Sequence, residues 1–204
     1  MSLVNFTTRE ITCKIVYYGP GRSGKTSNLQ YIYGRVPESR RGRMVSLATQ
    51  TDRTLFFDFM PLEAMAIKGF KTKFQLYTVP GQVIYNTTRQ LVLRGVDGLV
   101  FVADSQYDKM GENVESFQNL VDNLKTLKLN IDDIPYVLQY NKRDMPNVAP
   151  VEYMDFLLNN RDVQVPGFAA TAPKCEGVFE TLNMITRMLL HKFINEGGRR
   201  HTAV

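Results

Sequence analysis

Cysteine is scarce in this sequence of 204 residues, and none of its apolar runs is long. The two cysteines, Cys13 and Cys175, stand without metal-ligand spacing around either, which favours free thiols in a reducing cytosol. The longest strand-like apolar run, Leu99 to Ala103, falls far short of the roughly 20 residues that a membrane-spanning helix needs. We therefore expect a soluble, cytoplasmic protein without a disulfide framework.

Lipidation signals are lacking as well. The first residues, Met1-Ser2-Leu3-Val4, do not include the glycine that myristoylation requires, and no prenylatable cysteine precedes Ala203-Val204. We expect no direct membrane anchor, so a partner would have to carry the protein to any membrane or cell pole.

Positive charge is in modest excess, with a formal net charge of +5 and a sequence pI near 9.2. Such an excess can indicate binding to nucleic acid or to an acidic membrane. The basic residues are mostly spread along the chain, and the clusters within 35–43 and 199–201 are typical of solvated loops and tails. We therefore predict no nucleic-acid partner.

Strand-like and helix-like stretches alternate along the chain without internal repeats, which predicts an α/β fold with a mostly parallel sheet covered by helices. We expect one domain over residues 1–198 and a disordered tail over 199–204. A mobile loop is expected over Arg35–Gln50, and an antiparallel hairpin from the second and third strands. The strands are expected at Thr12–Tyr18, Leu55–Leu62, Phe70–Thr78, Leu99–Asp104 and Tyr136–Tyr140, and helices from Lys25, along the apolar stripe from Val114 to Leu127, and from Val178 until Gly197-Gly198.

The strongest motif is Gly19-Pro20-Gly21-Arg22-Ser23-Gly24-Lys25-Thr26, which fits a phosphate-binding loop between a strand and a helix. Glycines let backbone N–H groups wrap around phosphate oxygens, and the helix N-terminus adds positive potential. Lys25 is predicted to lie between the β- and γ-phosphates, and Thr26 to place its hydroxyl on Mg²⁺. A side chain at Gly21 would point toward the γ-phosphate, whereas Arg22 can point to solvent or to a phosphate. The nucleotide-binding candidates here are Gly19, Gly21, Arg22, Ser23, Gly24, Lys25, Thr26 and Ser27.

A second motif, Asn141-Lys142-Arg143-Asp144, follows a predicted buried strand. A carboxylate at Asp144 can accept hydrogen bonds from N1–H and the exocyclic amine of guanine together. Adenine lacks both donors, so it would leave the carboxylate desolvated and unpaired. Lys142 can lay its alkyl stem over the base, and Asn141 can brace the phosphate loop.

A third element, Ala170-Thr171-Ala172-Pro173, follows another short strand. A backbone N–H of Thr171 or Ala172 could reach the guanine carbonyl oxygen. An ordinary strand-to-helix loop explains the same residues equally well.

With these three elements in this order, the chain resembles the Ras-like small GTPases over nearly its whole length. The strings at 14–21, 52–59 and 76–82 are similar to the MglA family of bacterial gliding-motility and cell-polarity GTPases. The resemblance implies a phosphate-loop NTPase of the small G-domain type, with a mostly parallel sheet of six to seven strands and helices on both faces. It also implies GTP or GDP as ligand, Mg²⁺ as cofactor, and slow GTP hydrolysis that an activator stimulates.

The chain departs from most Ras-like proteins at Thr78, where they carry an aspartate that steadies Mg²⁺ through a water. A threonine hydroxyl carries no charge, so we expect weaker metal binding, with Asp52 or Asp58 as candidates to help. MglA proteins are similar in lacking that aspartate. Thr78 and Gly81 remain nucleotide-binding candidates.

The candidate catalytic residues are Gln82 and Arg53. Gln82 follows Gly81 and can orient the attacking water, although a solvent-exposed loop glutamine is the plainer interpretation. Thr54 can complete the Mg²⁺ shell beside Thr26 when GTP is bound, with Thr51 as an alternative ligand. From the residues alone, Arg53 is equally an arginine finger in cis or a surface charge. The MglA resemblance favours the finger, because it implies that the second strand and its flanking loop move on GTP binding.

The same resemblance implies partners: a dimeric Roadblock-type activator, MglB, and effectors that place the GTPase at a cell pole. We expect the chain alone to be a monomer. One predicted strand is rich in apolar residues, namely Leu55, Phe56, Phe57, Phe59 and Met60. If this strand lies at an edge of the sheet, it can bind a partner. Alternatively, its alternate residues simply face the core.

Three other functions compete with a GTP switch. A non-hydrolysing GTP-binding scaffold would keep Lys25 and Asp144 but show no turnover, and Thr78 keeps that alternative open. An ATP-dependent phosphotransferase would share the phosphate loop but not the motif ending at Asp144. A nicotinamide dehydrogenase is disfavoured because no Gly-x-Gly-x-x-Gly follows the first strand.

Overall fold

The computed structural model describes residues 3–5, 7–46, 58–67, 69–82, 85–161 and 163–200. Within them, a mixed sheet carries helices on both faces, which confirms the predicted α/β fold. The sheet has eight strands, of which β1, β3 and β8 have only two or three residues each. The strands are β1 Leu3–Asn5, β2 Glu10–Tyr18, β3 Val45–Ser46, β4 Asp58–Ile67, β5 Phe70–Thr78, β6 Gly98–Asp104, β7 Tyr136–Asn141 and β8 Gly167–Ala169; the α-helices are α1 Lys25–Arg35, α2 Asn86–Leu93, α3 Met110–Thr126, α4 Val151–Leu158 and α5 Val178–Arg200.

The strand order is β3-β4-β5-β2-β6-β7-β8, with β1 paired to β2 outside this path. Strand β2 is parallel to β5 and β6, and the pairs β6–β7 and β7–β8 are also parallel. Strands β4 and β5 form the predicted antiparallel hairpin, whose turn includes Gly69 at φ +81°. The carboxyl ends of β2, β5, β6 and β7 therefore meet at one edge of the sheet, where the loops that carry the predicted motifs begin.

The core has two parts, one on each face of the sheet. Helices α2, α3 and α4 cover one part through residues such as Leu93, Leu124 and Met154. Helices α1 and α5 cover the other through Ile32 and Ile185. All seven residues of β6 are buried, as expected for a central strand that presents alternate side chains to both faces.

The structure corrects some expected boundaries. Strand β4 begins at Asp58 among the described residues and extends to Ile67, beyond the predicted end at Leu62, because it pairs with β5 along the whole hairpin. The predicted loop after α1 is not wholly irregular, since β3 pairs with the start of β4 within it. Residues 47–57 lie outside the described part.

Val114 was expected in the apolar stripe of α3, but 42% of its surface is exposed, whereas Leu120 and Leu124 are buried. Six residues at 3.6 per turn place Val114 about 120° around the helix from Leu120, at the margin of the buried face. The rest of the predicted stripe packs on the core.

Helix α5 continues through Gly197-Gly198 to Arg200, so the predicted helix end is wrong. Glycine in a helix interior costs about 1 kcal/mol relative to alanine but still supplies its backbone hydrogen bonds. Residues 201–204 lie outside the described part, and the domain boundary at 198 stays a prediction.

No helix in the described ranges combines the length and apolar character needed to cross a bilayer. Cys13 is buried and Cys175 is half-buried.

Candidate nucleotide-binding site

A cavity of about 1040 Å³ opens at the carboxyl ends of the parallel strands. This is the edge of an open α/β sheet at which ligands generally bind. Its lining includes most of the predicted phosphate loop, the segment after β5, the end of β6 and Lys142 after β7. The predicted site residues in the lining are Gly21, Arg22, Gly24, Lys25, Thr26, Ser27, Gly81, Gln82 and Lys142.

The phosphate loop has the backbone that its glycines permit. Gly19 and Gly24 adopt φ values of +144° and +99°, where side chains are strained. A Cβ at Gly19 would lie 2.2 Å from the carbonyl oxygen of Val102, and one at Gly24 would lie 2.2 Å from Nδ2 of Asn141. These two glycines therefore let the loop pack directly against β6 and β7 before α1 begins.

Lys25, the first residue of α1, is 6% exposed, and its ammonium donates to the carbonyls of Gly19 and Pro20 at 2.9 and 2.6 Å. The two carbonyls hold a desolvated positive charge at the floor of the loop. A phosphate group beside it would gain a charge-assisted hydrogen bond in a poorly solvated place. Arg22 has φ +61°, is exposed, and also lines the cavity.

Asn141 connects the three predicted motifs. Its Nδ2 donates to the carbonyl of Ser23 at 2.7 Å, and its Oδ1 accepts from the backbone N–H of Ala172 at 3.0 Å. The predicted bracing contact with the phosphate loop is therefore present. Asn141 is the last residue of β7 and is 1% exposed, so this bridge is buried.

The backbone donors of the third element are already engaged. The N–H of Thr171 donates to the carbonyl of Glu176 at 3.0 Å, and that of Ala172 donates to Asn141. Both residues are buried and outside the cavity lining. A guanine carbonyl oxygen could therefore bind the Ala172 N–H only by sharing it with Asn141.

The base-reading candidates occupy different environments. Lys142 has φ +66°, and its ammonium lies 2.7 Å from Oδ2 of Asp104. Asp144 is exposed and is not part of the cavity lining. An exposed carboxylate keeps its hydration until a base displaces the water, which is the condition under which a mismatched base is penalised.

The segment after β5 lies against the phosphate loop. A Cβ at Gly81 would come within 2.4 Å of Cα of Gly21, so the two backbones touch. Thr78 is 1% exposed at the end of β5 and lies outside the cavity lining, whereas Gln82 lines it.

Four residues proposed for metal binding and catalysis, Thr51, Asp52, Arg53 and Thr54, lie outside the described part of the chain. Asp58 begins β4.

The donor set fits a magnesium nucleotide better than a metal held by protein alone. In the described ranges, no group of three or more His, Cys, Asp or Glu side chains could hold a metal ion. Mg²⁺ usually keeps several waters and takes its other ligands from phosphates and one or two protein oxygens. Thr26, half-buried in the cavity lining, fits that role beside a bound nucleotide.

Several cavity residues were missed by the sequence reasoning, notably Asp104, Gln106 and Tyr85. Asp104 had a visible signal, because it ends a continuous apolar run just as Asn141 does, and the two are paired in the β6–β7 register. Gln106 and Tyr85 follow no motif, and the topology of the sheet alone brings them to the cavity.

The fold and this site define a phosphate-loop nucleotide-binding protein. The sequence profile of the Gtr1/RagA G protein conserved region matches residues 14–139. Mutual gliding-motility protein MglA of Myxococcus xanthus (strain DK1622) is 54% identical over 198 residues, which cover 97% of this chain and 100% of the relative.

More distant relatives include Ras-related protein Rab-13 of Canis lupus familiaris, 27% identical over 148 residues, and of Mesocricetus auratus, 29% identical over 150 residues. Each of these alignments covers 72% of this chain and 68% of the relative.

The chain therefore belongs to the Ras-like small GTPases, in the MglA family. It binds GTP or GDP with Mg²⁺ and is a GTP hydrolase, as this family membership establishes. The alternatives of an ATP-dependent phosphotransferase and a nicotinamide dehydrogenase are excluded.

Proposed function

We propose that this chain is a GTP-driven switch for bacterial motility and cell polarity. Different residues around the cavity bind the phosphates, select the base and promote hydrolysis. The observation that carries the proposal is the Asn141 bridge, which joins the phosphate loop to the third motif in one buried unit. Support for the process comes from the M. xanthus relative, whose name describes gliding motility.

The loop before α1 would bind the phosphates. Lys25 would turn its ammonium between the β- and γ-phosphates from its present position at the Gly19 and Pro20 carbonyls. Thr26 would give its hydroxyl to Mg²⁺, which neutralises charge on the phosphate oxygens when bound. Thr54 would be the second protein ligand in the GTP state. Because Thr78 is buried and uncharged, it would support the loop rather than the metal.

Asp144 and Lys142 would select the base. Asp144 would accept from both donors of the guanine edge, and Lys142 would cover the base plane with its alkyl stem. Asp104 fixes the ammonium end of that stem, which leaves the methylene groups in a defined direction.

Gln82 and Arg53 would promote hydrolysis. Gln82 would orient the attacking water from its position in the cavity lining. Arg53 would place positive charge on the γ-phosphate oxygens as a finger supplied in cis. Both groups act on charge and geometry that develop in the transition state, so they accelerate the reaction without tightening GTP binding.

The partners we propose are a dimeric Roadblock-type activator and effectors at a cell pole. The apolar strand offers less free surface than its composition indicates, because Met60 is fully buried in the core. On the outer side of β4, β3 pairs with Asp58 and Phe59, and Gly42 and Arg41 pair with Pro61 and Leu62. The activator would therefore approach the outer edge of β4 beyond Leu62 and hold the neighbouring loops in their GTP-bound arrangement.

GTP turnover tests the proposal, measured with and without a Roadblock-type protein from the same genome. We expect slow turnover by the chain alone and a large stimulation by the partner. Tight GTP binding without turnover in either condition would instead identify a non-hydrolysing scaffold. Turnover of ATP by the unmutated protein as fast as that of GTP would contradict the assignment of Asp144 as the base-reading residue.

A further inference from the structure

A fully buried arginine lies on α2, outside every motif discussed so far. Arg89 has 0% of its surface exposed, and it is among the largest fully buried side chains in the described ranges. A guanidinium is always charged and is costly to bury unless all of its donors are bound. Among the described residues, no carboxylate pairs with it, so neutral oxygens must compensate the charge.

The guanidinium binds two consecutive carbonyls of the segment after β5. Its Nε donates to the carbonyl of Pro80 at 2.9 Å, and its Nη2 donates to the carbonyl of Gly81 at 2.6 Å. Only the fixed fork of an arginine presents two parallel donors in this way. The side chain therefore holds the Pro80–Gly81 backbone at two points.

The other side of the guanidinium is anchored on β2 and α3. Its Nη1 donates to Oδ1 of Asn119, and its Cζ lies over the ring of Tyr18, 5.2 Å from the ring centroid. Tyr18 donates from its hydroxyl to the same Oδ1 at 2.6 Å and accepts from Nδ2 of Asn123 at 3.0 Å. Burial raises the pKa of Tyr18, so its hydroxyl stays protonated and able to donate.

This anchoring reaches the phosphate loop from both directions. Tyr18 is the residue directly before Gly19, where the loop begins. Gly81 lies against Gly21 in the same loop, since a Cβ on Gly81 would be 2.4 Å from Cα of Gly21. Arg89 thus connects the start of the phosphate loop with the segment that lies across it.

The hydrogen bond to the Pro80 carbonyl also determines the direction of the Gly81 N–H. The peptide bond is planar and trans, so the N–H of Gly81 points opposite to the carbonyl of Pro80. Because that carbonyl faces Arg89, the Gly81 N–H is directed away from the guanidinium. Gln82 then continues the chain from a fixed peptide into the cavity lining.

We propose that Arg89 is a positioning residue that sets the preference for GTP over GDP, by holding the Pro80–Gly81 peptide where the Gly81 N–H serves the terminal phosphate and Gln82 begins from a fixed point. This inference rests on the proposed function of the cavity. It predicts that loss of the fork alters the response to the third phosphate and leaves contacts with the first two intact.

The first test replaces Arg89 by lysine, which keeps the charge but not the fork. The affinities for GDP and for a non-hydrolysable GTP analogue are measured with fluorescent nucleotides, together with single-turnover GTP hydrolysis. We expect the affinity ratio of the GTP analogue to GDP to fall about tenfold, and hydrolysis to fall by at least as much, since a misplaced backbone donor weakens transition-state stabilisation. GDP affinity should change by less than about threefold. The matched control is Arg94→Lys, because Arg94 directly follows the last residue of the same helix and has an exposed side chain.

If Arg89→Lys does not fold, a second variant, Asn119→Ala, tests the proposal instead. Asn119→Ala removes the anchor on α3 at a half-buried position and leaves Arg89 in place. We expect a smaller fall in the same affinity ratio. Thermal unfolding of each GDP-bound variant is measured alongside.

A merely structural role would lower both nucleotide affinities in parallel with thermal stability, and that result would overturn the proposal. So would an unchanged affinity ratio in folded Arg89→Lys, or, where that variant does not fold, in Asn119→Ala. Failure of the proposed function is distinguishable, because it would appear in the unmutated protein as absence of GTP turnover. The affinity ratio does not depend on turnover.

Discussion

Asp104 and Lys142 form an ion pair across the ends of two neighbouring parallel strands, with Nζ of Lys142 at 2.7 Å from Oδ2 of Asp104. The register pairs Asp104 with Asn141, so Lys142 is the first residue beyond the strand. Its φ of +66° turns the chain at that point. Asp104 is 2% exposed, and its Oδ1 accepts from the backbone N–H of Gln106 at 3.1 Å. A buried carboxylate held on both oxygens fixes the lysine that lines the cavity.

The Asp104→Asn variant should weaken GDP and GTP binding by a similar factor of about ten, which corresponds to about 1.4 kcal/mol. The amide leaves Lys142 without its charged partner, and the base side of the site is common to both nucleotides. Fluorescent-nucleotide titration measures the effect. Asp108→Asn is the matched control, because Asp108 is 67% exposed and its Oδ2 lies 3.7 Å from Nζ of Lys109. Unchanged affinity in Asp104→Asn would show that the lysine is positioned without its partner.

Base selection gives a second prediction. The unmutated protein should bind GDP at least a hundredfold more tightly than ADP, and Asp144→Ala should remove most of that difference, because a desolvated carboxylate without donors rejects adenine. Competition of ADP and GDP against a fluorescent nucleotide measures both affinities. Glu152→Ala, at an exposed acid on α4, serves as control. Equal affinity for the two nucleotides in the unmutated protein would contradict the role of Asp144.

The Asn141 bridge gives a third prediction, on stability as well as binding. Asn141→Ala leaves the Ser23 carbonyl and the Ala172 N–H without their buried partner, which should destabilise the fold by about 2–4 kcal/mol. Nucleotide affinity should fall for GDP and GTP together, because the phosphate loop loses its connection to β7. Denaturant unfolding without nucleotide separates the two effects. Asn160→Ala, at an exposed position, should change neither quantity. Normal stability with weakened binding would show that the bridge forms only around the nucleotide.

Sequence reasoning located the site well where a local motif encodes the geometry. The phosphate loop spans eight consecutive residues, and its required backbone follows from the position of its glycines. The hairpin strand Phe70–Thr78 has the predicted bounds, because its apolar residues alternate and a glycine turn precedes it.

Contacts between distant residues escaped that reasoning. Asn28 and Gln139 exchange two hydrogen bonds across 111 residues, and Gln139 also donates to Thr181 at 3.0 Å. No local sequence pattern marks the Asn28–Gln139 pair or buried Arg89. Their polar groups find hydrogen-bond partners only when the sheet and helices are assembled. The end of α5 was misplaced for a different reason: two glycines lower helix propensity but do not remove a backbone donor.

The final prediction assigns Gln82 and Arg53 distinct roles in hydrolysis, both supplied by this chain. Arg53 lies outside the described residues, so kinetics must test its role. An arginine finger is worth about a thousandfold or more in turnover, so Arg53→Ala should nearly silence hydrolysis even with a saturating Roadblock-type activator. GTP affinity should change little, because the finger acts on charge that develops in the transition state. Gln82→Leu should also block turnover while preserving activator binding, which pull-down of the GTP-loaded variant measures. Arg43→Ala, at another arginine of the segment before β4, is the control that should turn over normally. Activator-stimulated turnover of Arg53→Ala at the unmutated rate would assign the finger to the partner, or to no residue, and would leave Arg53 as a surface charge.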